Sequence, residues 1–188
     1  MEIGSWYDPV RDAVYLALCA AFGLDPESDD ALARFVPDYR EDVTNPQAPR
    51  KQDVCYFSIS PQQGTEYDYI EQAYTVENGQ GKAIISKPLP VAVLLSFYGS
   101  HADNDSEYFW ALIQSDTGAG SARAVLREKG IVLSGKPQRP ITLWETEGTH
   151  NRRRSDVHMN LLCKTVSTFN ASLVQEPPEI ISNPQFNN

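Results

Sequence analysis

The stretch PVAVLLSFYGSHADNDSEYFWALIQSD, residues 90–116, decides the fold. Residues 91–98 are the most apolar run of the chain and predict a central β-strand buried on both faces. Acidic residues follow Gly99, where the N-terminus of a helix favours negative charge. The aromatic and aliphatic side chains after them recur at helical spacing, which predicts an amphipathic helix packed on the strand.

A second helix is predicted near the N-terminus. Asp8 and Pro9 provide an N-cap and a first helical residue, and apolar side chains recur at helical spacing through residues 10–22. Gly23 follows at the position of a left-handed helix cap. The next thirty or so residues are rich in Pro, Asp and Asn, and they predict a long connection with one short strand at residues 34–36.

Alternating apolar and polar residues predict most of the remaining chain to be strands. Pro88 and Pro90 are expected to confine regular pairing of the central strand to the residues after them, because proline donates no hydrogen bond. A short helical turn is expected at residues 122–129. The predicted strands are residues 53–60, 67–76, 131–135, 140–145 and 157–169.

These elements predict an α+β domain in which an antiparallel sheet is covered by two helices on one face. We expect this domain to span residues 1–170. Residues 171–188 are rich in Pro and Asn, and we expect them to form an extended C-terminal arm.

Composition excludes several classes of protein. The chain has 188 residues, 41% of them apolar, which suits one globular domain. No apolar run approaches the length of a membrane span, and the N-terminus lacks the pattern of a signal peptide, so we expect the chain to stay where it is made. Its formal charge of −9 would repel a phosphate backbone and disfavours binding of nucleic acid.

The residues that usually perform chemistry are scattered. Cys19, Cys55 and Cys163 lie far apart in apolar surroundings and predict three buried thiols in a reducing compartment. Three histidines are equally dispersed, and no nucleotide-binding, hydrolase or metalloprotease motif is present. We therefore expect no catalytic site, no metal and no cofactor.

Six residues are instead candidates for an assembly interface. The segment GTHNRRRSD predicts an Arg-rich hairpin tip that adds little to stability and is either a solvated loop or a docking loop for an acidic neighbour. The strand at residues 67–76 alternates acidic and aromatic residues, which suits an interface or a solvated face better than a core. A tryptophan on an edge-like strand is either part of the core or an interface anchor. The candidates are Arg152, Arg153, Arg154, Tyr67, Tyr69 and Trp144.

A different class of function stays open. Folding could bring together Tyr67, Tyr69, His101 and Trp144 as the site of a small cytosolic enzyme or a ligand-binding domain. An oligomer in solution would favour the assembly protein, and a strict monomer with a deep polar pocket would favour the enzyme.

Residues 10–170 resemble the tail terminator (neck terminator) proteins of tailed phages. The likeness is carried by residues 90–116, in which a strand ending in aromatic-Tyr-Gly is followed by an acidic loop and an aromatic-rich helix. FVPDYREDVTNPQAPRKQDVCYFSISPQQ resembles the family's Pro-rich approach to its first long strand. REKGIVLSGKPQRPITLWETEGTHNRRRSDVHMNLLCKTV resembles its two closing strands, with arginines before the last strand.

This resemblance implies a structural virion protein without enzymatic activity. Members of the family form a ring, typically of six copies, at the head-proximal end of the tail tube, where the ring stops polymerisation and joins the tail to the head-side neck. The implied partners are further copies of this chain, the tail tube protein and a head-side neck or connector protein. DNA would pass through the lumen without specific binding, and no membrane is involved. A different connector subunit, such as a head-completion or adaptor protein, is the alternative within this class.

Overall fold

A computed structural model of the chain describes residues 2–3, 6–37, 52–62, 70–77, 80–115, 120–147 and 150–171. These residues form an α+β fold with one mixed sheet and four helices. The helices are α1 (Tyr7–Phe22), α2 (Asp29–Arg34), α3 (Ala102–Gln114) and α4 (Ala122–Glu128). The strands are β1 (Glu2–Ile3), β2 (Phe35–Pro37), β3 (Val54–Pro61), β4 (Glu71–Glu77), β5 (Gln80–Tyr98), β6 (Val132–Leu133), β7 (Ile141–Glu147) and β8 (His150–Ala171).

Two long antiparallel strands, β5 and β8, form the centre of the sheet. They pair continuously from Gly81 opposite Ala171 to Tyr98 opposite Arg154. On the outer side of β5, β3 pairs with its second half and β4 with its first half. On the outer side of β8, β7, β6 and β1 follow one another along the strand. The sheet is therefore a long two-stranded centre with short strands along both sides.

The prediction of a purely antiparallel sheet is wrong at one edge, where β2 runs parallel to β3. Sixteen residues, 38–53, separate the two strands, and parallel strands need a connection of about a dozen residues or more. Local alternation reports which residues share a face. It does not report the direction of a distant neighbour, so the residue pattern left this pairing open.

The prediction that Pro88 and Pro90 end the regular pairing is also wrong, because β5 continues through both. Backbone groups of alternate residues point to opposite sides of a strand. The carbonyl of Pro90 accepts from the backbone N–H of Gln62, on the β3 side, whereas the carbonyl of Leu89 accepts from the Cys163 thiol on β8. The N–H groups that the two prolines lack would thus point away from β8, towards the gap between β3 and β4. Pairing of β5 with β8 therefore loses no hydrogen bond.

The hydrophobic core lies on one face of the sheet. Odd-numbered residues of β5 and β8, such as Leu95 and Val157, are paired across the strands and fully buried beneath the helices. On the opposite face, Leu94 is only half-buried and His158 is exposed. The apolar run of β5 is therefore covered by helices on one face, and the prediction of burial on both faces is wrong.

The two predicted helices are present as α1 and α3, the predicted helical turn at residues 122–129 is α4, and the structure adds α2. Helix α1 begins at Tyr7, so Asp8 lies in its first turn rather than at the N-cap, and Gly23 closes it in the predicted left-handed conformation. Helix α2 was missed because it has six residues in a polar tract; the Ser28 hydroxyl caps it by accepting from the backbone N–H of Ala31. Four helices, not two, thus belong to the described fold.

Two predictions from composition can be compared with this structure. Cys19, Cys55 and Cys163 are buried free thiols, as predicted. Among the described helices, none combines the length and the apolar character needed to cross a membrane. The boundary proposed near residue 170 falls at the end of β8, and residues 172–188 lie outside the described part of the chain.

The turn between β5 and α3 depends on a glycine. Gly99 has φ of +109°, a conformation that side chains with a Cβ rarely adopt. A Cβ at this position would overlap the Asp53 carboxylate and come within 2.8 Å of the Asp53 Cα. The close approach holds the start of β3 against the N-terminus of α3.

We expect Gly99→Ala to lower the free energy of unfolding by about 2–3 kcal/mol, because it combines an unfavourable φ with a backbone overlap. Gly135→Ala is the matched control, since Gly135 has φ of +79° but an added Cβ would contact nothing within 4 Å. The control should cost about 1 kcal/mol in urea unfolding. Equal losses in the two variants would contradict the role of the approach to Asp53.

Candidate assembly surfaces

The two long strands extend beyond the helix-covered core. The buried core of β5 begins at Val91, and that of β8 ends at Cys163, so the first half of β5 and the last residues of β8 lie outside it. Here β4 and residues 80–86 of β5 form the β4–β5 hairpin. At the other end of the sheet, β7 and residues 150–156 of β8 form the β7–β8 hairpin.

Exposed large apolar side chains are concentrated on and beside these two hairpins. Ten such side chains occur among the described residues, and only Leu32, Tyr108 and Val132 belong to other parts of the fold. The remaining seven are Ile70, Tyr74, Val76, Ile141, Leu143, Trp144 and Val166. Clustered apolar exposure of this kind is typical of a surface that binds another protein.

The β4–β5 hairpin exposes its apolar side chains on the face that, further along, forms the core. Tyr74 is paired with Ala83 of β5, and odd-numbered residues of β5 point towards the helical side. Tyr74 is 72% exposed and Val76 is 65% exposed. Because no described helix reaches this end of the sheet, the apolar face continues uncovered.

The β7–β8 hairpin exposes apolar side chains on both faces. Trp144 is opposite Arg153 on the helical side and is 69% exposed, while Leu143 is opposite Arg154 on the other side. The interpretation of Trp144 as part of the core is therefore wrong in the isolated chain. Its role as an interface anchor stays a prediction.

The three arginines are strand residues and do not form a loop at the hairpin tip, which corrects the prediction. All three belong to β8 and pair with β7, so alternation sends Arg153 to one face and its two neighbours to the other. Arg153 forms an ion pair with Asp103 of α3 and lies 6.0 Å from the Trp144 ring centroid. The run of like charge is thus divided between two faces, and Arg153 and Arg154 are paired with carboxylates.

Tyr98 is the centre of a polar cluster on the face without helices. Its hydroxyl donates to Glu145 Oε2 at 3.0 Å, and the Arg152 guanidinium carbon lies 4.8 Å from its ring centroid. Tyr56 packs edge-on against the same ring. Burial, reinforced by the hydrogen bond to the Glu145 carboxylate, raises the pKa of Tyr98 to about 12. Tyr98 therefore stays neutral and acts as a donor.

Arg154 neutralises a buried carboxylate beside this cluster. Its Nε donates to Asp156 Oδ1 at 2.7 Å, and the Asp156 side chain is only 6% exposed. The hydrogen bond to Asp156 raises the pKa of the Arg154 guanidinium. Since Arg154 is also 3.9 Å from Glu145, it joins two carboxylates from neighbouring strands.

Of the four residues of the enzyme alternative, the two that the structure describes, His101 and Trp144, contact different residues. Tyr67 and Tyr69 lie outside the described residues. His101 contacts Asp53, with Nδ1 at 2.7 Å from Oδ2, whereas Trp144 lies beside Arg153. Ser100 also contacts His101 at Nδ1, so this trio lacks the arrangement of a catalytic triad, in which the base and its acid partner use different ring nitrogens.

A pocket of about 330 Å³ lies between the start of α1, the turn after α4 and the middle of β8. Its lining is mainly apolar and includes Trp6, Val10, Ile131 and Cys163. His101 and Trp144, the residues of the enzyme alternative that the structure describes, do not line it. Across the described ranges, no three His, Cys, Asp or Glu side chains are placed to hold a metal ion.

Charge is divided unevenly between the sheet regions that contain the hairpins and the rest of the chain. Residues 70–98 and 141–171 contain six basic and five acidic residues, a formal charge of +1. The other residues contain ten basic and twenty acidic residues, a formal charge of −10, which together gives the −9 of the chain. The surfaces that expose apolar side chains are therefore those with almost no net charge.

No protein-family model matches this chain, and no curated protein matches it significantly. The candidate surfaces accordingly rest on geometry, charge and the residue pattern. Sequence reasoning missed Tyr74, Val76 and Leu143 as exposed residues. The sequence did contain a signal for this exposure, because apolar residues alternate along β4 and β7 and no helix pattern lies nearby to cover them. Which strands the helices cover, however, is decided by tertiary packing and cannot be read from local alternation.

Replacing Arg154 with methionine should lower the free energy of unfolding by about 1–3 kcal/mol, because the buried Asp156 carboxylate would lose its cation. The matched control is Arg139→Met, which removes an ion pair to Glu107 from a side chain that is 76% exposed. The control should change stability by less than about 0.5 kcal/mol in urea unfolding. An Arg154 variant as stable as the control would show that Asp156 needs no partner.

The pair formed by His101 and Asp53 should make stability depend on pH. The hydrogen bond to Asp53 and the charge of Asp53 raise the pKa of His101 in the folded protein. The contribution of protonated His101 to the free energy of unfolding is therefore fully present below about pH 6.5, and it is lost as pH rises through the raised pKa. Burial of Asp53 opposes ionisation, but the hydrogen bonds from His101 outweigh it and lower the pKa of Asp53. The contribution of the Asp53 carboxylate to stability is lost at acid pH, because the carboxylate becomes protonated.

Urea midpoints measured from mildly acidic to alkaline pH will test this dependence. The wild-type protein should lose more stability across that range than His101→Gln does. His158→Gln, which changes an exposed histidine on β8, should retain the wild-type profile. A His101→Gln variant with the wild-type pH profile would contradict the assignment of this pH dependence to the pair of His101 and Asp53.

Proposed function

We propose that this chain is a structural virion protein, a tail (neck) terminator that forms a hexameric ring at the head-proximal end of a phage tail tube. The ring stops polymerisation of the tube and joins the tail to the head-side neck, with DNA passing through the lumen. One observation carries the proposal: seven exposed large apolar side chains are concentrated at the two ends of the sheet, on and beside the β4–β5 and β7–β8 hairpins. Surfaces of that kind are expected to be covered by protein in the working state. The resemblance of residues 10–170 to tail terminators supplies the type of assembly.

The charge of the chain is compatible with such a channel. Six copies at −9 each would carry about −54 in total. Cationic contacts are what retain a phosphate backbone, so a predominantly acidic ring lets DNA slide past without holding it. The work of the protein is then recognition between surfaces, and no bond is made or broken.

A different connector subunit, such as a head-completion or adaptor protein, is the alternative within this class. It would use similar exposed surfaces and differ in its neighbour. A terminator would bind the end of the tail tube, whereas such a connector would bind structures on the head side. The choice therefore depends on which isolated structure captures the protein.

Electron microscopy of the purified protein, alone and mixed with tail tubes, tests the proposal. We expect a six-fold ring at one end of each tube and an arrest of elongation when free tube protein is added. The matched control is the same mixture without this protein, in which tubes keep growing. Bare tube ends and continued growth, together with binding to head-side connectors, would favour the adaptor; binding to neither structure would contradict both.

A further inference from the structure

We propose that the β4–β5 hairpin of one copy binds the β7–β8 hairpin of the next copy. This inference rests on the proposed ring, because a ring joins two different surfaces of each subunit head to tail. The two surfaces are named here the β4 patch (Ile70, Tyr74 and Val76) and the β7 patch (Ile141, Leu143 and Trp144).

The β4 patch is an apolar surface next to an outer strand. Tyr74, 72% exposed, and Val76, 65% exposed, lie on one face of β4, and Ile70, which directly precedes the strand, is 56% exposed. Within the described part of the sheet, β4 has one strand neighbour, β5. Its nearby acid, Glu71, is already held by Lys164 at 2.7 Å, so covering this region leaves that carboxylate paired.

The β7 patch has the residue types that anchor protein interfaces. Trp144 lies on one face and Leu143 on the other, so a partner can contact the strand from both sides. Arg153 lies beside the Trp144 ring and is itself fixed by Asp103 of α3. Tryptophan and arginine dominate binding energy at interfaces, and side chains that are already ordered lose less entropy on binding.

The two patches cannot meet within one molecule. They lie on opposite edges of the sheet, since β4 flanks β5 and β7 flanks β8. Across the sheet, Tyr74 is level with Phe169 of β8, and Trp144 is level with Arg153 of the same strand. The two patches are therefore about 50 Å apart along β8. An isologous dimer through either patch would leave the other exposed, whereas head-to-tail association covers both.

Charge favours a second copy of this chain as the occupant. The sheet regions that contain the patches have a formal charge of +1, while the rest of the chain has −10. The net negative charge of the remaining residues opposes contact between identical copies through surfaces that those residues form. The nearly neutral regions that contain the two patches add little repulsion of this kind.

Three paired substitutions test the inference. The β4 variant is Tyr74→Glu with Val76→Glu, and the β7 variant is Leu143→Glu with Trp144→Glu. The control is Leu32→Glu with Val132→Glu, which adds the same charge at exposed apolar positions outside the hairpins. Self-association is measured by analytical ultracentrifugation, with the protein alone and with tail tubes, and circular dichroism checks that each variant is folded.

We expect the control to assemble like the wild type and each hairpin variant to associate at least about 30-fold more weakly. A mixture of the two variants should form heterodimers and nothing larger, because it retains one intact contact between an unchanged β7 patch and an unchanged β4 patch. Wild-type assembly by either variant would overturn the inference and leave the proposed ring intact. A wild-type protein that stays monomeric both alone and with tubes would overturn the proposed function as well.

Cross-linking provides a second measurement that does not depend on tolerance of glutamate. The three native thiols are buried, so a cysteine introduced at an exposed position is the accessible one among the described residues. A mixture of Tyr74→Cys and Trp144→Cys should yield cross-linked dimers with a short bis-maleimide, while each variant alone should not. Cross-linking of Tyr74→Cys with itself would identify an isologous contact and overturn the head-to-tail arrangement.

Discussion

The antiparallel pairing of β5 with β8 is the constraint on which the rest of this structure depends. Every other described strand except β2 joins the sheet by pairing with one of these two. Their shared register places Leu95 beside Val157 and sets which face the helices can cover. At the end where β4 joins the sheet, both strands continue past the helical layer, so the register that builds the core also builds the uncovered β4–β5 hairpin.

The arginine run illustrates how strand alternation changes the meaning of a charged segment. As a loop, three consecutive arginines would form one basic patch available to an acidic partner. As residues of β8, Arg153 faces Asp103 while Arg154 faces Asp156 and Glu145 on the opposite side. Arg153 and Arg154 are therefore paired with carboxylates of their own subunit, next to the strand that exposes Trp144.

The residue pattern could predict those elements whose character is local. Periodicity located α1, α3, β3 and β7, and the glycine after α1 has the conformation expected from its position. The pattern did not reveal α2, the direction of β2 or the passage of β5 through Pro88 and Pro90, because these depend on neighbours distant in sequence. For the candidate surfaces, it selected Trp144 but not Tyr74, since exposure is decided by where the helices end.

The positions of the two prolines in β5 also bear on how the protein avoids unwanted polymers. An outer strand with a complete row of donors can recruit foreign strands, which is a common route to aggregation. Pro88 and Pro90 remove donors from β5 in the interval between β3 and β4, so this stretch is a poor template for an added strand. The two prolines thus limit strand addition at the middle of this edge and leave the exposed apolar side chains of the two hairpins unaffected.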